Sequence, residues 1–282
     1  MTALLLAIVS SAAMALALKW FRDPKGNRYG LLLGNYLTCV LIAFLTMPDR
    51  GAVLHGSAVT LICGLIGGCF FIAALVAMQS SIAKTGAALT AAFAKLGLTV
   101  SLLVSVLWFG ERPTALQLGG IVLTLAALVV LHGGVKTGAL SGGALVLLAV
   151  TLVTNGGGDA MAKVFSNLGP AEESVLYMFW VFLTALVLAC GLAFAEWKRN
   201  GKKLVWKEVA AGVAVGVPNY YSSYLLVIAL GKLPAMLVFP AFSIGTILLV
   251  TVCSLWFFRE RLTKRQAVGL ALIGAALALL NL

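Results

Sequence analysis

The sequence predicts an all-α integral membrane protein with ten transmembrane helices arranged as two inverted five-helix repeats. Three observations predict it. Hydrophobic residues make up 62% of the 282 and charged ones only 10%, with a mean hydropathy of +1.07. A soluble domain is about half apolar and about a quarter charged. Apolar stretches of near-spanning length recur ten times, and the second half of the chain repeats the first. So little charge cannot solvate a globular surface, which argues against a soluble enzyme, a nucleic-acid binder and a secreted disulfide module.

A helix needs roughly 20 apolar residues to cross about 30 Å of hydrocarbon, and in lipid the backbone must satisfy its own hydrogen bonds. Breaks at charged or Pro/Gly clusters leave segments 2–19, 29–47, 57–79, 86–109, 115–132, 142–167, 172–196, 207–230, 233–257 and 266–281. The first opens with Met1-Thr2-Ala3-Leu4 and has no basic leader, so it reads as a span rather than a cleaved signal peptide. The longest polar connections are Lys19–Arg28 and Lys198–Lys207, which leave no room for a soluble domain.

Ten spans place alternate loops on opposite faces. One face collects Lys19, Arg22, Lys25, Arg28, Lys84, Lys136, Lys198, Arg199, Lys202, Lys203, Lys207, Arg259, Arg261, Lys264 and Arg265. The other has Arg50, Arg112 and Lys232. The basic face belongs in the cytoplasm, which predicts a multi-pass protein of the cell (inner, cytoplasmic) membrane with both termini outside. The net charge of +11 has the same origin. Cys39, Cys63, Cys69, Cys190 and Cys253 form neither a CxxC nor a Cys/His cluster. They are expected to be buried small hydrophobes, with no disulfide framework and no metal site.

Shifting the chain by 149 residues aligns Ser105, Phe109, Glu111, Arg112, Thr114, Gln117 and Gly120 with Ser254, Phe258, Glu260, Arg261, Thr263, Gln266 and Gly269. Upstream, Phe93 falls on Phe242 and Gly67 on Gly216. The Glu-Arg-x-Thr-x-x-Gln spacing marks a duplication, with repeats at 1–135 and 142–282. Five spans is an odd number, so the second repeat enters the membrane upside down. Inverted repeats of this kind are a transporter architecture, because two similar halves can exchange conformations.

Gly110-Glu111-Arg112-Pro113, its counterpart Arg259-Glu260-Arg261-Leu262 (without the Gly and Pro) and Phe239-Pro240-Ala241-Phe242-Ser243 carry a family likeness. With ten spans in two halves, the chain resembles the drug/metabolite transporter superfamily, EamA type. The resemblance implies secondary transport of a small metabolite, often export, and leaves the substrate open.

An ionisable group at the bilayer centre costs roughly 2.5–3.5 kcal/mol on insertion scales and marks a candidate site. Lys95 lies about 13 Å into the fourth segment at 1.5 Å per residue, and its repeat mate is Ile244. It is expected to face an aqueous cavity and meet an anionic substrate group; the plainer reading is neutralisation by a carboxylate or buried carbonyls. Asn155, Asp159 and Lys163 recur at intervals of four and share a helix face around Gly156-Gly157-Gly158, which permits close backbone approach. Asp159 is the candidate for proton coupling or for binding a substrate amine. The alternative is an i, i+4 pair with Lys163, the lysine snorkelling outward.

The eighth segment carries Pro218-Asn219-Tyr220-Tyr221-Ser222-Ser223-Tyr224. Asn219, Tyr220, Ser223 and Tyr224 are expected to line a substrate cavity, against the alternative of an interfacial aromatic belt. Asn35, Tyr36, Gln79, Tyr177 and Trp180 are weaker candidates, equally suited to interhelical contacts. Glu111 and Glu260 are expected to pair with the neighbouring arginines, and Pro240 to kink the ninth segment. Trp20, Trp108, Trp197, Trp206 and Trp256 flank segment ends and fit interfacial anchoring.

The function expected is secondary transport by alternating access, with export favoured. The substrate, a small metabolite such as an amino acid or another zwitterionic or anionic compound, would sit between the repeats near Lys95, Asp159 and the tyrosines. No Walker motif is present and no cofactor is expected. An intramembrane enzyme is disfavoured: His55 and His132 lie near loop ends, and Asp159 is the only aspartate inside a segment. A channel or lipid-handling scaffold is the alternative. The expected partners are the bilayer, the substrate and protons, not nucleic acid; monomer and homodimer are both open.

Overall fold

The computed structural model describes residues 1–20, 29–85, 87–131, 142–257 and 264–280. Its helices are α1 (Thr2–Trp20), α2 (Gly30–Thr46), α3 (Ala52–His55), α4 (Ala58–Thr85), α5 (Ala87–Leu96), α6 (Leu98–Leu107), α7 (Ala115–Leu131), α8 (Gly142–Leu168), α9 (Ser174–Asn200), α10 (Trp206–Leu230), α11 (Ala235–Phe257) and α12 (Lys264–Leu280). There is no strand among the described residues. Among the described residues, six helical stretches are long and apolar enough to cross a membrane: Ala58–Thr85, Leu89–Leu107, Gly142–Leu168, Ala171–Asn200, Trp206–Leu230 and Ala235–Cys253. Thr2–Leu18, Gly30–Thr46, Ala115–Ala127 and Ala267–Ala276 are shorter and also apolar. The chain is an all-α membrane protein.

The segments read from hydropathy each fall on a helix, with one internal difference. The fourth is divided at Gly97, whose N–H donates to Ala94 O at 3.2 Å while Val100 N–H donates to Gly97 O at 2.8 Å. Both bonds span three residues instead of four, so the helix tightens for one turn and then continues. α3 is a single turn inside the second connection.

Outward faces are apolar, as lipid contact requires: Leu45, Ile62, Val122, Val146, Val187 and Phe194 are all exposed. Trp108, Trp197, Trp206 and Trp256 are exposed near helix ends. The cysteine expectation needs correcting. Cys39 and Cys63 are buried, but Cys69 and Cys190 are exposed. A thiol is a small hydrophobe, so a lipid-facing position is as acceptable to it as a packed one.

The chain forms two compact units, Met1–Ile72 with Val164–Gly231, and Ala73–Lys163 with Lys232–Leu282. Each draws helices from both sequence halves. The first packs α2 against α9 and α10, and α1 against α10; the second packs α7 against α12 and α6 against α11.

Glycines set the closest approaches in the first unit. A methyl group on Gly212 would strike Leu31 O, and one on Gly34 would strike Val209 O. At Gly216 it would lie 2.6 Å from both Asn35 O and Thr38 Cβ. The same contact recurs with other partners: at Gly68 the methyl would lie 2.5 Å from Val181 O and 2.6 Å from Thr184 Cβ. At Gly64 it would meet Trp180 Cβ and come within 3.4 Å of Tyr177 O. Gly64 and Gly68 match Gly212 and Gly216 at a shift of 148, while Leu31, Asn35 and Thr38 match Tyr177, Val181 and Thr184 at 146. The uniform shift of 149, which set Gly67 on Gly216, is thus one residue off for the glycines of this contact and three off for their partners.

Candidate functional site

In the second unit α8 is a polar helix face built upward in steps of four residues. Thr151, Asn155, Asp159 and Lys163 span about 18 Å at 1.5 Å per residue. Thr151 is fully buried and its Oγ1 shares a hydrogen bond of 2.8 Å with Ser81 Oγ. Asn155 Nδ2 donates to Thr151 O at 2.8 Å, within its own helix.

Asp159 comes next, and it interacts electrostatically with Lys95 of α5. The contact that sets them together is Gly156 against Gly97. A Cβ on Gly156 would collide with Gly97 O, and one on Gly97 would lie 2.8 Å from both Gly156 N and Leu152 O. Only two bare backbones can cross this closely. Lys95 lies two residues before that crossing and Asp159 three after it. Both side chains are half-buried. Among the described residues neither makes a hydrogen bond or an ion pair within 4.0 Å. Two groups of opposite charge therefore lie close enough to interact inside the unit without forming an ion pair.

Lys163 ends the ladder, and the structure corrects two expectations there. Its ammonium is 2.6 Å from Glu111 Oε1, with the lysine side chain only 4% exposed, so it neither snorkels outward nor pairs with Asp159. It also stands 5.8 Å from the Phe109 ring centroid. Glu111 serves a third element too: Ala235 N–H donates to its Oε1 at 3.2 Å and Met236 N–H to its Oε2 at 3.4 Å, at the start of α11. A carboxylate at a helix N-terminus satisfies orphan N–H groups and complements the helix dipole. Lys163 is thus the described cationic partner of Glu111, where Arg112 was expected. Glu260 and Arg261 lie outside the described residues.

The tyrosine cluster belongs to the first unit. Tyr220 is 1% exposed; its hydroxyl shares a hydrogen bond of 3.3 Å with Thr46 Oγ1, and its ring stacks on Tyr224 with centroids 5.9 Å apart. Asn219 is buried as well, donating to Asn35 Oδ1 at 3.1 Å. Cys39 Sγ adds a bond to Gly216 O at 3.3 Å. Both Asn219 and Tyr220 therefore hold α10 against α2. Ser223 and Tyr224 remain half-buried and accessible. Of the weaker candidates, Asn35 makes the interhelical bond just described, while Tyr36 and Tyr177 are buried among aromatic rings, Tyr177 stacked on Phe165 with centroids 4.3 Å apart.

Sequence reasoning missed Ser81, Thr151 and Gly97, although Thr151 continues the spacing of four that singled out Asn155 and Asp159. It also missed Glu173, in the 3-10 turn Ala171–Glu173 before α9. Glu173 Oε2 accepts from Ser57 Oγ at 2.7 Å and from Thr60 Oγ1, and Ser57 N–H donates to the same carboxylate, fixing the start of α4.

No protein-family model matches the chain, and no curated protein matches it. A solved structure described only as a crystal structure of a protein is similar to it, with a TM-score of 0.73 and 19% identity over 99% of this chain and 94% of that one. At that identity the likeness speaks for the fold alone.

Proposed function

We propose that this chain is a secondary transporter of a small zwitterionic or anionic metabolite, an amino acid among them, working by alternating access in the cell membrane. The observation that carries the reading is the pair Lys95 and Asp159, opposite charges in two apolar helices that are brought together but not closed into an ion pair. Ionisable groups inside membrane segments are costly and line substrate or ion pathways. A zwitterion offers the carboxylate that Lys95 lacks and the ammonium that Asp159 lacks. Asp159 is also the proposed proton-coupling group.

The recurring glycine contacts support an inverted duplication. A glycine of the first half meets the second half at Thr184, and a glycine of the second half meets the first at Thr38, as a two-fold exchange of roles requires. Such repeats let one half take up the conformation of the other. The resemblance to the EamA-type transporters supports export as the direction. Ser223 and Tyr224 stay candidates for substrate contact, while Asn219 and Tyr220 act by positioning α10.

The test is counterflow in proteoliposomes with a panel of amino acids, amines and organic acids. Saturable exchange that is lost in Lys95→Ala is expected. Unsaturable flux would identify a channel instead, and saturable exchange undiminished in Lys95→Ala would remove the lysine from the site.

A further inference from the structure

We infer that the connection between α9 and α10, residues 197–207, is a binding site for the headgroups of anionic phospholipids. This rests on the chain being a membrane protein, not on its being a transporter. Lys198, Arg199, Lys202, Lys203 and Lys207 are all exposed along this stretch. Trp197, Leu204 and Trp206, interleaved with them, are 50%, 50% and 77% exposed. The acids nearby are Glu196, which accepts from Asn200 Nδ2 at 3.0 Å, and Glu208 in the first turn of α10.

Helix length sets the depth of this loop. α9 has 27 residues, about 40 Å at 1.5 Å per residue, against a hydrocarbon core of about 30 Å. Counted from Ser174, roughly 20 residues cross the core, which leaves Phe194–Asn200 at headgroup level. Gly201 then ends the helix in the left-handed conformation at φ 65°, its N–H donating to Trp197 O at 2.9 Å. The chain turns at the depth of the phosphates and delivers Lys202 and Lys203 there.

The residue mixture fits a lipid better than a free anion. Indole rings lie at the boundary between hydrocarbon and headgroup, and Leu204 reaches the same boundary. The cations beside them meet the phosphates, and polybasic segments next to a membrane helix bind anionic lipid through such charges. The occupant is therefore a phospholipid with a net negative headgroup, its acyl chains against Trp197 and Trp206.

The experiment uses the full chain in phosphatidylcholine vesicles doped with brominated phosphatidylglycerol or, at equal content, brominated phosphatidylcholine. Quenching of Trp197 and Trp206 is isolated by difference from Trp197→Phe and Trp206→Phe. Stronger quenching by the anionic lipid is expected, with the preference falling about fivefold per charge removed in the series Lys198→Gln, Arg199→Gln, Lys202→Gln, Lys203→Gln. In the unaltered chain, read as total tryptophan quenching, the preference is expected to collapse in high salt, where the screening length drops to about 3 Å, so this arm needs no variant to fold. Equal quenching by the two lipids at low salt would overturn the proposal. So would a preference abolished by inorganic phosphate at matched ionic strength, which would mark a site for free anions.

Discussion

Lys163 and Glu111, 52 positions apart, form an ion pair at 2.6 Å that also holds the first turn of α11. One carboxylate thus joins the connection after α6, the end of α8 and the start of α11. In a low-dielectric setting such an arrangement is stable only because both charges and the orphan N–H groups are satisfied together.

Removing one member should therefore cost more than removing both. Lys163→Met leaves the carboxylate uncompensated and is expected to lower stability by about 3–5 kcal/mol. Lys163→Met with Glu111→Gln should recover part of that loss. Thermal unfolding of the unaltered chain, Lys163→Met, Glu111→Gln and the double variant in detergent measures the coupling; equal stability throughout would mean the pair contributes nothing.

The glycine contacts predict a ranking of substitutions. Gly34→Ala, Gly156→Ala and Gly212→Ala force a methyl group into facing backbone and should each destabilise by about 1–3 kcal/mol. Gly191→Ala and Gly274→Ala meet nothing within 4 Å and should be neutral or slightly stabilising. A melting-temperature series without this separation would contradict the close approach.

Glu173→Ala removes the acceptor for Ser57 and Thr60 and should cost about 0.5–2 kcal/mol, the usual range for a lost helix cap. Because the damage falls at the start of α4, limited proteolysis within 47–57 should accelerate. Glu173→Gln keeps an acceptor oxygen and should recover part of the protection.

For transport, Asp159→Asn is expected to abolish accumulation driven by a pH gradient while sparing substrate exchange. Parallel uptake and counterflow assays on one reconstituted preparation separate the two. Undiminished gradient-driven uptake would reduce Asp159 to a structural partner of Lys95.

The helices were legible because lipid imposes one simple rule, an apolar run of sufficient length, and Trp206–Leu230 or Gly142–Leu168 obey it without reference to the rest of the chain. The α8 face was legible for the same local reason, since residues four apart stack on one side. Partners were not. Lys163 had a carboxylate one turn away in Asp159, yet Glu111 holds it, because that choice depends on where α6 ends and α11 begins. Tyr220 read as a cavity wall from its neighbours Ser223 and Tyr224, whereas Thr46, 174 positions upstream, closes over its hydroxyl. The run Gly156-Gly157-Gly158 announced a close crossing, but nothing local pointed to Gly97 as the residue it crosses.

Because each compact unit takes helices from both halves, a fragment ending at Leu131 and another starting at Gly142 would each lack half of every unit they build. Produced separately, they should be degraded or insoluble; produced together, they should intertwine at a fixed ratio of one to one. Joining them in a single polypeptide guarantees that ratio at synthesis, so neither half is ever made without the helices it packs against.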